Sequence, residues 1–397
     1  MNSENNEFDL SDFPANKIFI GIDENFRKYL FDKALENSNQ SMLELTRKLN
    51  LSYKYLHGIK NGFKYRGKRS NIRLNLLNEL TCIAKISLSE TIKNILFLRY
   101  GRNSCNVLNI FPLKYDLRLA ALVGHATGDG HIKSGTFNFE YRNSSEELIK
   151  KVYDLVFDIF KIECNIYSNK DGTKQVEAPS IVGYVLYKAG APVGNKIKNR
   201  FDIPVWIKYG DKEVIASYLG SLVDDEFCIS QSKVMIFSLS KNVELKENLF
   251  IFFEEIKDLF LKLNIKSYQK ESNGVFIRKD NVKTKEIILN ICGQNNFIKF
   301  KENVIITNKS KINSLNKLTS SYILKPYDKC GYNKAKEIAL SKLKIDNFTT
   351  TQLTKETTIS RGCFLRHLTR MKKEGLIKEV KRLAYREILW TLNYSVI

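Results

Sequence analysis

Residues 119–132 read LAALVGHATGDGHI and residues 216–229 read ASYLGSLVDDEFCI. Each is an apolar, helix-patterned stretch seeded with small residues; each ends in acidic side chains and runs into a β-like segment. The downstream segments are also written twice: a strand pattern (TFNFEYRN, then VMIFSLSKN), an amphipathic helix (SEELIKKVYDLVFDIFK, then VELKENLFIFFEEIKDLFLKL), and further strand patterns. A helix–strand–strand–helix–strand–strand unit that recurs 97 residues later constrains the centre to two like α+β halves related by a pseudo-two-fold axis.

The small residues say how the halves meet. Gly124 and Gly128 are four apart and share one helix face, with Ser221 in the matching place of the second copy. Such faces let two helix backbones cross closely. Asp129 and Glu226 then project from the two helix ends near the axis. Carboxylates so placed repel unless a divalent cation lies between them, and hard oxygen ligands suit Mg2+. A phosphodiester held against such a cation is open to in-line hydrolysis. The plain alternative is a pair of solvated or capping acids at the edge of a helical core; recurrence in matching frames favours the pair. A frame that makes Asp225 the second acid stays open, but it breaks the register between Ile132 and Ile229 that Glu226 keeps.

On these residues the centre resembles the LAGLIDADG homing endonucleases of the single-chain, two-repeat type. The stretch AGAPVGNKIKNRFDIPVWI (189–207) is similar to the Gly-x-Pro-x-Gly-x-Lys…Ile-Pro segment closing the first repeat in archaeal members, and NNFIKFKENVIITNKSKINSL (295–315) resembles the end of a repeat. The likeness spans roughly 113–325, with repeats at 113–209 and 210–325. It implies a Mg2+-dependent, site-specific endonuclease acting on double-stranded DNA. Asp129 and Glu226 would hold metal and take part in catalysis, and Lys196 and Lys309 would be the basic residues beside the reaction. Asn143 and Lys241 would be the water-organising strand-end groups. Phe227 stands where the family has glycine, a departure expected to tilt the helix end or block a backbone approach.

The flanks carry most of the positive charge. The chain has 64 Lys+Arg against 43 Asp+Glu, a net +21. Residues 41–110 hold 13 basic and 3 acidic side chains, and residues 331–397 hold 14 and 6. That bias points to a polyanionic partner. In 41–62, apolar residues at the spacing of two short helices, a break near Asn50, Ser52 at an N-cap and Gly62 at the end resemble a Cro/phage-repressor helix-turn-helix. The resemblance implies Tyr53, Lys54 and His57 facing DNA, and Lys60 and Lys64 facing phosphates. Helices over 72–84 and 89–98 would complete an all-helical domain at 26–110. Toward the C-terminus, helical segments at 335–343, 350–357 and 360–374 precede two alternating stretches, which resembles a winged helix-turn-helix at 331–397. Its Leu365, Leu368 and Met371 would be buried, with Arg361, Arg366 and Arg370 available to DNA.

Residues 1–25, acidic and polar, are expected to be flexible. No stretch is apolar enough to span a bilayer. Seven singly placed cysteines and four histidines suit neither a disulfide framework nor a zinc site, so a reduced cytoplasmic, nucleoid-associated monomer is expected. The ends also carry no initial Cys or terminal His-Asn pair of an intein. The competing reading is a non-catalytic, DNA-binding regulator on the same scaffold. The sequence also leaves open whether the flanks dock on DNA or on protein.

Overall fold

The acid-tipped segments form two helices, Leu117–Thr127 and Lys212–Glu226, capped by Asp116 and Asp211, whose carboxylates accept backbone N–H groups of the first turn. In a computed structural model of the chain, the described residues are 7–62, 64–65, 68–69, 71–101, 105–230, 233–320, 331–355, 359–384 and 387–393. They fall into two compact units, Met1–Ser320 and Ser321–Ile397.

Behind each motif helix lies an antiparallel sheet. The first contains Gly130–Ile132, Phe139–Asn143, Lys174–Ala178 and Asn165–Ser168, neighbours in that order; the second contains Phe227–Ser230, Val234–Asn242, Lys283–Cys292 and Ser267–Glu271. Both sheets therefore order their strands alike, with a short Phe276–Ile277 strand added to the second. The long amphipathic segments become helices Glu146–Phe160 and Lys246–Lys262. Each buries one stripe, Leu148, Val152, Val156 and Ile159 in one case and Leu249, Phe253, Ile256 and Phe260 in the other. Phe227 is buried in the second half, its ring stacked on Phe237 with centroids 4.9 Å apart.

The N-terminal part departs from expectation in two ways. Residues 7–22 are folded. Phe8, Leu10 and Phe13 are buried, with the Phe8 and Phe13 rings against Phe111, and Phe13 stacks on Tyr184 at 5.5 Å. The acids that suggested a solvated tail are local caps: Asp9 and Asp12 form a capping box, and Asp23 caps the helix Glu24–Ser38. The domain is also not all-helical. Ile18–Ile22 pairs with Ile72–Arg73 on one side and Ile95–Tyr100 on the other. The helix expected over 89–98 stops at Lys93, because the ILFLRY run alternates in burial as a strand does. Helices Met42–Lys48 and Tyr53–Asn61 stand where the spacing placed them, with Asn50 at φ 50°, Ser52 capping Tyr55 and Gly62 at φ 67°.

In the second unit, helices Tyr332–Leu343, Thr350–Lys355 and Arg361–Lys373 are followed by strands Ile377–Ala384 and Glu387–Leu392, the latter also pairing with Phe348–Thr349. Phe364, Leu368 and Met371 share a core with Trp390, so Phe364 takes the core place expected of half-buried Leu365. Gly375, at φ 74°, ends the helix region.

Candidate active site

The two motif helices cross with almost no space between their backbones. A Cβ on Gly124 would lie 2.7 Å from the Tyr218 carbonyl oxygen and 2.8 Å from Ser221 Cβ, and one on Gly128 would lie 2.6 Å from Asp225 Cβ. Real Cβ atoms do not approach so closely, so Gly124, Gly128 and fully buried Ser221 are requirements of the crossing. The crossing delivers Asp129, Asp225 and Glu226 to one place.

The three acids have different surroundings. Asp129 is exposed at its tip, and its Oδ2 accepts from Asn143 Nδ2 at 2.8 Å. Loss of hydration, then the nearby Asp225 charge, pushes its carboxyl up to about 6. Glu226 is half-buried, with no hydrogen-bond partner among the described residues. Loss of hydration, then the Asp129 charge, pushes it up to about 7, against the pull of Lys196. The Asp225 carboxyl is fully buried, and both its oxygens are occupied: by Tyr141 Oη at 2.6 Å, His125 Nδ1 at 3.1–3.2 Å and the Asp129 N–H at 3.2 Å. Of the two candidate second acids, Glu226 is the one facing a cleft. That cleft, about 490 Å3, is also lined by Thr127, His131, Lys196, Ser240, Lys241 and Arg278.

Two lysines close the rear of the site. Lys196 donates to the carbonyls of Thr127, at 3.0 Å, and of Gly128; burial pushes its ammonium down to about 8 despite the surrounding acids. Lys311 does the same for the second helix, donating to Val223 O at 2.9 Å and Asp224 O at 2.6 Å, and burial lowers its pKa as well. Each cation sits on carbonyls at a helix C-terminus. Lys309, the expected counterpart of Lys196, lies elsewhere: it is exposed and pairs with Glu147 at 3.1 Å. The helix Lys309–Ser320 begins at that residue, and its first turn carries Lys311 inward instead.

Lys241 also departs from its expected role. Its side chain is buried with Nζ 3.7 Å from the Phe201 ring centre, and it donates to Asn199 O at 3.0 Å and to Asn248 Oδ1. It ties the segment joining the two halves to the second sheet, while Asn143, its partner by position, touches Asp129 directly. Asp224, next to the site, is wholly structural. It accepts the N–H groups of Thr307 and Asn308 and pairs with Lys151 at 3.2 Å.

Sequence reasoning missed His125, Tyr141 and Lys311. The signal available for His125 was a histidine on a helix face otherwise reserved for apolar and small residues.

The resemblance implies Mg2+, and the donor set fits it: Asp129 and Glu226 offer hard oxygens whose ionised forms are raised in energy by crowding and lost hydration. Among the described residues no three His, Cys, Asp or Glu side chains form a closed cage.

At the flanks, Tyr53 and Lys54 are exposed, and the Tyr53 and His57 rings stack at 5.4 Å. Lys60 is paired with Asp32 at 2.7 Å; the side chain of Lys64 lies outside the described residues. In the second unit Arg366 is exposed, Arg361 pairs with Glu387, and Arg370 pairs with Glu374 at 3.0 Å while lying 3.9 Å over the Tyr332 ring.

No family model matches the chain. It is 30% identical over 287 residues to the replication factor C small subunit of Methanocaldococcus jannaschii, an alignment covering 64% of this chain and 14% of that protein. It is 27% identical over 220 residues to the tRNA-splicing ligase RtcB of Pyrococcus furiosus, covering 48% and 22%. The chain thus spans less than a quarter of the length of these curated relatives. Among solved structures, I-DmoI in complex with DNA and Mn overlaps 47% of this chain and 96% of its own at TM-score 0.31 and 15% identity. Full-length DUF199/WhiA from Thermatoga maritima overlaps 65% and 90% at TM-score 0.33 and 11% identity. Its structural neighbours are thus LAGLIDADG homing endonucleases and the LAGLIDADG-like DUF199/WhiA domain. No helix among the described residues is long and apolar enough to cross a membrane.

Proposed function

We propose that the chain is a Mg2+-dependent, site-specific double-strand DNA endonuclease that acts as a monomer containing both halves of its own active site. The carrying observation is the convergence of Asp129 and Glu226 at the ends of two helices crossed at Gly124, Gly128 and Ser221. Phe227 supports it further, since its ring is packed on Phe237 and Phe260 within the second core. Asp129 and Glu226 hold the ion, Asn143 orients Asp129, and Lys196 and Lys311 fix the helix ends and offset the acidic charge. Bound there, Mg2+ would supply Lewis-acid polarisation of a phosphate oxygen and a water of lowered pKa. The two sheets would lie over the major groove, with specificity spread over many base-edge contacts. The helix Tyr53–Asn61 would add contacts through Tyr53, Lys54 and His57, and residues 331–397 would act as a winged helix-turn-helix through Arg366, with Arg361 and Arg370 beside it.

The test is incubation of the purified chain with Mg2+ and genomic DNA of its host. Discrete double-strand cuts are expected. Asp129→Asn and Glu226→Gln should each lower cleavage by more than the ~10–100-fold typical of losing an outer partner of a metal site, with metal-free DNA affinity kept. Cleavage persisting in both variants refutes the assignment. A second reading, a non-catalytic regulator, has one observation in its favour: two basic flanks beyond what a nuclease centre requires. Mg2+-independent binding with no cleavage of any host sequence would select it.

A further inference from the structure

Asp225 occupies a position that a packing residue would fill at lower cost. It lies opposite Gly128, where a side chain of any size would collide with it. Three donors from three elements converge on it: His125 from the first motif helix, Tyr141 from the first sheet, and the main-chain N–H of Asp129. A carboxylate accepts only, so His125 Nδ1 carries the hydrogen, and Nε2 is left buried without a partner among the described residues. An apolar pair here would avoid both the buried charge and the stranded nitrogen.

The contacts close into a ring around Asp129. Asn143 Nδ2 lies 3.3 Å from Tyr141 Oη and donates to Asp129 Oδ2 at 2.8 Å, while Asp225 accepts the Asp129 N–H. Main chain and carboxylate of one acid are thus held together. In the matching frame of the other half, Gly128 corresponds to Asp225 and His125 to Leu222.

We propose that Asp225, held by His125 and Tyr141, is a positioning carboxylate. It fixes the aim of Asp129 and so tightens cation binding without ligating the ion. The inference rests on the reading that Asp129 and Glu226 hold a divalent cation. Outer partners that orient a ligand are typically worth ~10–100-fold in metal affinity.

The experiment titrates Mn2+ into the full chain and follows the free ion by electron paramagnetic resonance, alongside thermal melting and metal-free DNA binding. The unaltered chain should bind Mn2+, and the double variant Asp129→Asn/Glu226→Gln should not. Asp225→Asn should weaken Mn2+ binding about 10-fold while metal-free DNA affinity stays put, a readout that general disruption of the crossing would move. Should Asp225→Asn fail to fold, Tyr141→Phe removes one donor only and should shift Mn2+ binding in the same direction by a few-fold. Unchanged Mn2+ affinity in the folded variants, with binding lost in the double variant, overturns the role of Asp225 alone. No Mn2+ binding by the unaltered chain overturns the metal reading, and this inference with it.

Discussion

At the scale of single residues, the acids at the crossing tie stability to pH with a definite sign. The carboxyls of Asp129 and Glu226 are raised to about 6 and about 7 from ordinary values of 3.8 and 4.5. Between about pH 4 and pH 7 the folded chain therefore binds more protons at these positions than the unfolded chain does. Their protonated forms favour folding, and that contribution is lost as pH rises through the folded values. The metal-free chain should accordingly lose melting temperature between about pH 4 and pH 7 relative to Asp129→Asn/Glu226→Gln, in which the slope from these groups is gone. Mg2+ should restore melting temperature near pH 8 and have little effect near pH 5, where protons hold the sites; calorimetry across the range reads both. Ser221 supplies a second expectation. Its hydroxyl is buried without a partner among the described residues, so Ser221→Ala should be neutral or stabilising by up to about 1 kcal/mol in denaturant unfolding.

At the scale of elements, the crossing itself can be tested. Alanine at 124 must displace the Tyr218 backbone or Ser221, and overpacking of this kind costs about 1–3 kcal/mol. Gly274, with open space around its would-be Cβ, is the control, and Gly274→Ala should stay within about 0.5 kcal/mol. Urea unfolding of both variants decides the matter, and a Gly124→Ala chain as stable as the control would refute the tight crossing. The same elements show what could be read in advance. Helices Leu117–Thr127, Lys212–Glu226, Glu146–Phe160 and Lys246–Lys262 were legible because local periodicity specifies them. The sheet built on Ile18–Ile22 was not, since its partner Ile95–Tyr100 lies far along the chain and an apolar six-residue run looks alike in helix and strand. Within the candidate site, the nearness of Asp129 and Glu226 was legible because they recur in frame. The His125–Asp225 contact spans 100 residues, and the choice between Lys309 and Lys311 depends on how one helix turn is rotated against another. Neither leaves a local trace.

At the scale of the whole molecule, the net charge of +21 would make DNA affinity, under the proposed function, a matter of counterion release. Contacts to six to ten phosphates would weaken binding by about 10³–10⁵ between 50 and 200 mM salt. The structure predicts which cations contribute to that slope. Lys60, Arg361 and Arg370 already have carboxylate partners within their own units, so binding DNA through them means exchanging one anion for another. Lys54 and Arg366 are exposed. Lys54→Ala and Arg366→Ala should therefore each flatten the log–log salt dependence by about one, and Lys60→Ala by clearly less, as measured by fluorescence anisotropy on a host-derived duplex. If the slope is unmoved by Lys54→Ala and Arg366→Ala but falls when surface lysines of the central sheets are replaced, the flanks do not contact the duplex. Their basic surfaces must then serve a different acidic partner, and the central two-sheet body binds DNA alone.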